Sequence, residues 1–310
     1  MKIAIVGCGT VGASWAVVFA RAGLDVVVYD SSRSAIEAAI SYAHQAASSL
    51  AEYELLNGQI PAEVCARIKV ALSIGDAVHG AEYVQESTPE RLSIKQEVYE
   101  ELANLTPPGA VIASSTSGLP ASSFTAGIVR KERCLVAHPI NPPHLIPLVE
   151  IVPSPWTNAA SVQRTISLMK MVGQMPICLS REIPGFVVNR LQSAVLAEAF
   201  RLVEDGLCSA NDVDAAVAHG LGLRWFFMGP FEAIDLNAQG GVTDYCRKLG
   251  PMFNELAKDQ ADPRQWSVQL INTVERQLRE TTSIEQLDQR RAWRDRCLCA
   301  FIKAKSEFVN

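Results

Sequence analysis

The stretch KIAIVGCGTVGASWAVVFARAGLDVVVYD, residues 2–30, decides the fold. Lys2 to Val6 is apolar almost throughout, which fits a parallel strand covered on both faces. Gly7-Cys8-Gly9-Thr10-Val11-Gly12 then opens a helical stretch, Ala13 to Ala22, that stops at Gly23. A second strand, Asp25 to Tyr29, ends in Asp30. Strand, GxGxxG, helix, strand and acid follow in an order that gives each glycine a task. Gly7 allows a tight turn, Gly9 lets the backbone approach a pyrophosphate closely, and Gly12 lets the helix pack on the strand. Thr10 and Val11, within this loop, are read with the glycines as cofactor-binding, and the N-terminus of the helix that follows faces the phosphates.

A carboxylate at Asp30 accepts hydrogen bonds from the adenosine ribose hydroxyls and repels the extra phosphate of NADP, so the expected cofactor is NAD. The next segment, about residues 34–67, is an insertion: a long Ala-rich helix from Ser34 to Leu56 ended by Asn57-Gly58, then a shorter helix from Pro61 to Arg67. It contains neither Lys nor Arg from Ser34 to Ala66. Strand candidates resume at Ile68–Ser73, Tyr83–Glu86, Val111–Ser114, Leu135–His138, Val149–Val152 and Pro176–Leu179, separated by helices such as Arg91–Leu105 and Ala159–Val172. That alternation predicts a Rossmann-type doubly wound α/β sheet over residues 1–183, with an altered strand direction near its end. After Pro184-Gly185 only helical periodicity is found, with stretches at Phe186–Glu204, at a Ser209-capped segment through His219, and at Phe231–Lys248, Gln265–Arg279 and Ile284–Lys305. Residues 184–310 are therefore expected to form a smaller all-α domain.

Ligands in such sheets bind beyond the carboxyl ends of the strands, where Glu86, Ser115 to Ser117 and His138 fall. The segment AHPINPPHLIPLVE, residues 137–150, holds His138 and Glu150 at the ends of two apolar runs, with four prolines between them that exclude a helix. If the runs are neighbouring strands, Glu150 can accept from one ring nitrogen and leave the other free as a base. A lone histidine in a Pro-rich turn fits a core role as well, and it is the surrounding dinucleotide-binding pattern that favours chemistry.

The bulk properties exclude several classes of partner. Net charge is −5, 48% of the residues are hydrophobic and 20% are charged. Such a chain gives no electrostatic reason to bind nucleic acid or an anionic membrane. No apolar run is long enough to span a bilayer and no signal peptide is visible, so a cytoplasmic protein is expected. The eight cysteines lack CxxC or Cys/His spacing and read as reduced, mostly buried thiols, with no metal site.

Taken together, the Gly loop, Glu90-Arg-Leu-Ser-Ile-Lys95, Ser114-Ser-Thr-Ser-Gly-Leu119, His138-Pro-Ile-Asn141, Glu150, Pro184-Gly-Phe-Val-Val-Asn189-Arg190 and Met228-Gly-Pro-Phe-Glu-Ala-Ile-Asp235 resemble the 3-hydroxyacyl-CoA dehydrogenase family over nearly the whole chain. The run HPINPPHLIPLVEIVPSPWT from His138 and the segment Trp293-Arg-Asp-Arg-Cys-Leu298 are most similar to its L-gulonate 3-dehydrogenase branch, which includes lambda-crystallin. The resemblance implies that His138 is the general base for a secondary hydroxyl whose carbon gives hydride to NAD, and that Glu150 orients it. It implies that Ser117 and Asn189 hold the substrate oxygen, with Ser117 also bordering the cofactor. Asn141 would lie near the nicotinamide, and Glu90 and Lys95 would contact its ribose. Without the resemblance, that last pair reads equally as a solvated helix start. A homodimer through the second domain is also implied.

Two departures bear on the substrate. Family members acting on CoA esters resemble one another in a Lys-rich insertion, whereas this insertion is free of cations and Pro147 precedes Leu148-Val149-Glu150. Arg224 stands at a turn where the CoA enzymes usually have an uncharged residue. Its guanidinium suits the carboxylate of a small hydroxy acid, or its stem covers the aromatic run Trp225 to Phe227. The expected activity is oxidation of the 3-hydroxyl of a small hydroxy acid such as L-gulonate. A 3-hydroxyacyl-CoA (3-hydroxybutyryl-CoA) dehydrogenase and a non-catalytic, crystallin-like structural protein are the alternatives.

Overall fold

A computed structural model describes residues 1–308 of the chain. They form two compact units: Met1–Asn189 together with the chain from Arg294 onward, and Arg190–Trp293.

The first unit is built on an eight-stranded sheet of β1 (Lys2–Val6), β2 (Asp25–Tyr29), β3 (Ile68–Val70), β4 (Tyr83–Glu86), β5 (Val111–Ser114), β6 (Cys134–Pro139), β7 (Leu148–Pro153) and β8 (Met175–Cys178). Its order is β3-β2-β1-β4-β5-β6-β7-β8. Neighbours run parallel except β6 and β7, which are antiparallel. The expected doubly wound sheet with a late change of direction is therefore present. Helices α1 (Thr10–Arg21), α2 (Arg33–Glu52), α3 (Pro61–Ala66), α4 (Ile74–Val78), α5 (Leu92–Leu105), α6 (Ser122–Thr125) and α7 (Ala159–Met171) connect the strands, and α8 (Val188–Glu204) begins at the end of the unit. The strand predicted to reach Ser73 stops at Val70. The Ser73 hydroxyl instead caps α4 by accepting from the Asp76 amide.

Strand β1 sits where the order reverses, and α1 packs on it through Trp15, Phe19 and the small residues Ala13, Ala16 and Ala20, all buried. Trp15 stacks on Phe19, which tilts against Tyr83 of β4. Each such ring buried contributes about 2–3 kcal/mol, so this aromatic row anchors the helix that carries the Gly loop. Helix α2 lays a stripe of Ala39, Ala43, Ala46 and Leu50 into the same core.

The second unit holds the rest of α8, then α9 (Ala210–Ala216), a π-helical turn Val217–Leu221, α10 (Gly222–Trp225), α11 (Pro230–Asp235), α12 (Gly241–Asp259) and α13 (Val268–Arg279). Among the described residues it contains no strand. The helix expected over Phe231–Lys248 is two helices. Gly240 and Gly241 interrupt it, Gly241 with φ of 66°, and Asp235 Oδ1 accepts from the Val242 amide to start α12. Helix α14 (Leu287–Phe308) ends in the first unit: Cys299 is buried in that core, with Leu298 and Ile302 packed against it. The span 184–310 read as one helical domain is thus divided, because α14 buries its apolar residues on the sheet-bearing unit. Three of the eight thiols are buried, Cys8, Cys134 and Cys299, fewer than expected, and all eight are free.

Candidate active site

The β6–β7 register sets His138 directly opposite Glu150. Facing residues in an antiparallel pair stand about 5 Å apart at Cβ, so a side-chain hydrogen bond can close the gap. It does: His138 Nδ1 lies 2.6 Å from Glu150 Oε2. Both residues are buried, Glu150 fully. A carboxylate only accepts, so Nδ1 carries the hydrogen and Nε2 is the nitrogen with the free lone pair in the neutral ring.

Glu150 Oε1 accepts from the amides of Val187 at 2.7 Å and Val188 at 3.0 Å, where α8 begins. Burial pushes the Glu150 carboxyl up, but the hydrogen bonds from His138, Val188 and Val187 outweigh it and hold the group below the usual carboxylate range. A charged carboxylate therefore backs the imidazole. Phe186, fully buried and with φ of +50°, lays its ring against His138 at 5.6 Å between centroids. A left-handed aromatic residue is strained by about 1–3 kcal/mol, and here the strain accompanies a ring that fills the space beside the base.

Ser117 sits on a loop gathered around one carboxylate. Glu90 Oε1 accepts from Thr116 Oγ1 at 2.5 Å and from the amides of Ser117, Gly118 and Leu119 at 3.1–3.3 Å. Asn189 Nδ2 donates to the Ser117 carbonyl at 2.7 Å. Glu90, Ser117 and Asn189 are thus brought together, and the Ser117 side chain is exposed. Asn141, three residues beyond His138, is exposed as well.

Lys95 departs from the expected ribose contact. It is 1% exposed, and its Nζ lies 3.0 Å from both Glu86 carboxylate oxygens and 3.3 Å from Ser114 Oγ. Ser114 Oγ and Thr88 also donate to Glu86. The spacing Glu90–Lys95 carried no signal of this, because the partners come from β4 and β5. Glu86, expected to face ligand, is likewise fully buried in that pair.

The Gly loop fits a dinucleotide phosphate. A Cβ at Gly12 would collide with the Gly7 carbonyl, and one at Gly7 with Ser87 and Thr88, whereas a Cβ at Gly9 would meet nothing within 4 Å. Gly9 is the N-cap of α1, without a side-chain cap and without an acid in the first turn, so the amides at Thr10 and Val11 remain for an anion. Asp30 closes the loop from the next strand: Oδ2 accepts from the Cys8 amide at 2.7 Å and Oδ1 from the Ser32 amide at 2.8 Å. Burial, with Asp30 nearby, pushes the Cys8 thiol up to about 12, so it is an inert filler.

Sequence reasoning passed over His144, in the middle of the Pro-rich loop. Its amide donates to Ser14 Oγ at 3.1 Å, and Ser14 Oγ lies 2.8 Å from His144 Nδ1, which ties the loop to α1. Arg21 donates to the His144 carbonyl at 3.3 Å. Gln85, a polar residue inside an apolar parallel strand, was also passed over. Its composition was the available signal. Arg224 belongs to the second unit, on α10 directly after the π-helical turn, and its side chain is exposed. Among the described residues, no three His, Cys, Asp or Glu side chains gather to hold a metal, and no helix is long and apolar enough to cross a membrane.

Comparison with known proteins agrees with this geometry. Residues 2–183 match the family model for the 3-hydroxyacyl-CoA dehydrogenase NAD-binding domain, and residues 185–284 match that for its C-terminal domain. Lambda-crystallin of Oryctolagus cuniculus is 37% identical over 308 residues, covering 98% of this chain and 96% of that protein. L-carnitine dehydrogenase of Pseudomonas aeruginosa is 33% identical over 305 residues, covering 98% and 94%. Among solved structures, a 5-formyl-3-hydroxy-2-methylpyridine 4-carboxylic acid 5-dehydrogenase, described as an NAD+-dependent dismutase, superposes with a TM-score of 0.84 at 31% identity over 98% of this chain and 97% of that one. A sheet that carries both a dinucleotide loop and a carboxylate-backed imidazole, with both family domains matched in order, leaves one assignment: the chain belongs to the 3-hydroxyacyl-CoA dehydrogenase family and is an NAD-dependent oxidoreductase acting on secondary alcohols.

Proposed function

We propose that the enzyme oxidises the 3-hydroxyl of a small free hydroxy acid such as L-gulonate, with His138 as general base. The observation that carries the chemistry is the 2.6 Å bond between His138 Nδ1 and the Glu150 carboxylate. With Nδ1–H held on a charged Glu150, Nε2 takes the proton from the substrate hydroxyl, and the imidazolium that forms is stabilised where it stands. The Ser117 hydroxyl and the second Nδ2 hydrogen of Asn189 hold the substrate oxygen. When bound, NAD supplies the acceptor for the hydride leaving the same carbon.

The preference for a free acid rests on charge. The insertion has neither Lys nor Arg from Ser34 to Ala66, and Arg33 and Arg67 beside it are bonded to Glu37 and to Gln59 and the Glu63 carbonyl, so little cationic charge is offered to a phosphorylated carrier. One solved relative is a dehydrogenase of a pyridine carboxylic acid and another relative is an L-carnitine dehydrogenase. Arg224, exposed and without a protein partner among the described residues, is assigned to the substrate carboxylate. Asn141 and Glu90 border the nicotinamide side. The Arg224→Ala variant should raise KM for the acid at least tenfold, and an unchanged KM removes that role. His138→Ala should bind NADH as the wild type does and lose turnover, and retained activity removes the base.

The protein is further proposed to be a cytoplasmic homodimer joined through its second unit. That unit buries only Ala210, Ala233 and Leu270 among its apolar side chains while exposing Leu191, Leu223, Trp225, Phe231, Trp266 and Val268. A second copy offers the same faces in return, as an isologous interface requires. Light scattering at micromolar concentration tests it, and a monomer mass overturns it.

A further inference from the structure

The sheet order is β1-β4-β5-β6 between the Gly loop and His138. Neighbouring strands lie about 4.8 Å apart, so the ends of β4 and β5 span the ground between them. Dinucleotide held by Asp30 at the end of β2 and by the loop after β1 has to present its reactive ring beside His138 at the end of β6. Its nicotinamide riboside half therefore covers the residues just after β4 and β5, which are Ser87 and Ser115. Lys95, which would have been the cation for that ribose, is committed to Glu86.

Ser87 Oγ and Ser115 Oγ are 2.8 Å apart. Below them Gln85, fully buried, donates from Nε2 to Ser115 Oγ at 2.8 Å and to the Ala137 carbonyl at 3.3 Å, and accepts from Tyr83 Oη at 2.9 Å. A carbonyl oxygen can only accept, so Nε2 is the amide atom that faces Ala137 and Ser115. Gln85 thus occupies a lone pair of Ser115. The two serines hold two hydroxyl hydrogens, of which one lies between them. The other has no protein acceptor among the described residues.

We propose that Ser87 and Ser115 form a hydrogen-bond donor subsite for the nicotinamide riboside half of NAD, and that Gln85 is a positioning residue that holds Ser115 Oγ in place. The subsite rests on His138 being the base, since that is what places the nicotinamide at β6. The donated hydrogen bond requires an acceptor, which the ribose oxygens or the carboxamide oxygen provide, and ADP lacks both the second ribose and the carboxamide.

Titration calorimetry of NADH and of ADP separates this subsite from the phosphate loop. Replacing both hydroxyls, Ser87→Ala with Ser115→Ala, should weaken NADH binding about three- to tenfold, the worth of one neutral hydrogen bond, and leave ADP binding within twofold. Gln85→Leu, which keeps both hydroxyls but removes the support beneath Ser115, should weaken NADH selectively by a smaller factor. NADH affinity within twofold of wild type in the double variant overturns the proposal, and so does an equal loss of NADH and ADP affinity, which would make the pair a support of the loop. His138→Ala in the same series distinguishes the layers. Turnover retained there removes the reading of the base, whereas an inactive His138→Ala beside an unaffected double variant removes the subsite alone.

Discussion

Glu150 grips His138 from directly across the antiparallel β6–β7 pair, and its second oxygen takes the two amides that open α8. One carboxylate thus fixes the tautomer of the base and the start of the helix that carries Asn189. Glu150→Gln keeps the shape but removes the charge that stabilises the imidazolium. Its kcat is expected to fall roughly 10²- to 10⁴-fold with NADH affinity unchanged. Steady-state kinetics with a parallel NADH titration checks this, and a kcat within threefold of wild type would contradict it.

Lys95 and Glu86 form a buried pair, from which a structural role is predicted. Lys95→Met leaves a buried carboxylate without its cation, so a stability loss of about 3–5 kcal/mol is expected in denaturant unfolding. NADH affinity in the folded fraction should change little. A variant of normal stability that binds NADH more than tenfold more weakly would restore the ribose role.

Glycine substitutions separate packing from ligand approach. Gly12→Ala forces a Cβ onto the Gly7 carbonyl and should destabilise the fold. Gly9, with φ of −66° and open space around its Cβ position, should accept Ala within about 0.5 kcal/mol of wild-type stability. The added methyl then stands where the pyrophosphate approaches, so Gly9→Ala should bind NADH at least tenfold more weakly. Equal NADH affinity would show that phosphate does not approach at Gly9.

His144 makes stability depend on pH. Burial, and then the charges of Arg21 and Arg294, lower its pKa from 6.5 to about 4. The folded value lies below the unfolded one, so the unfolded chain takes up the proton first as pH falls. The contribution is whole above pH 6.5, is lost between pH 6.5 and 4, and is level below that. A difference of about 2.5 between the two values corresponds to about 3 kcal/mol. Urea unfolding from pH 7.5 to 4 should show this loss in the wild type and not in His144→Gln, and parallel profiles for the two proteins would rule it out.

Much of the first unit was legible because its signals are local. An apolar run, three glycines, a helix, a second run and Asp30 each speak within a few residues, and the prolines between His138 and Glu150 left strands as the conformation for both. What could not be read depends on distant partners. Lys95 looks like any helix-start cation until β4 and β5 bring Glu86 and Ser114 beneath it. Leu298, Cys299 and Ile302 have the same periodicity whichever core receives them, so the return of α14 to the first unit was hidden. The break at Gly240-Gly241 did have a local sign in its paired glycines, and the apolar spacing on either side masked it.

The central claim is tested most directly by initial rates of NADH formation with L-gulonate, 3-hydroxybutyrate, L-carnitine and 3-hydroxybutyryl-CoA supplied separately to the wild-type enzyme. The account predicts that a free hydroxy acid is oxidised with a kcat/KM at least tenfold above that for the CoA ester. NADH formation from the CoA ester alone would contradict it.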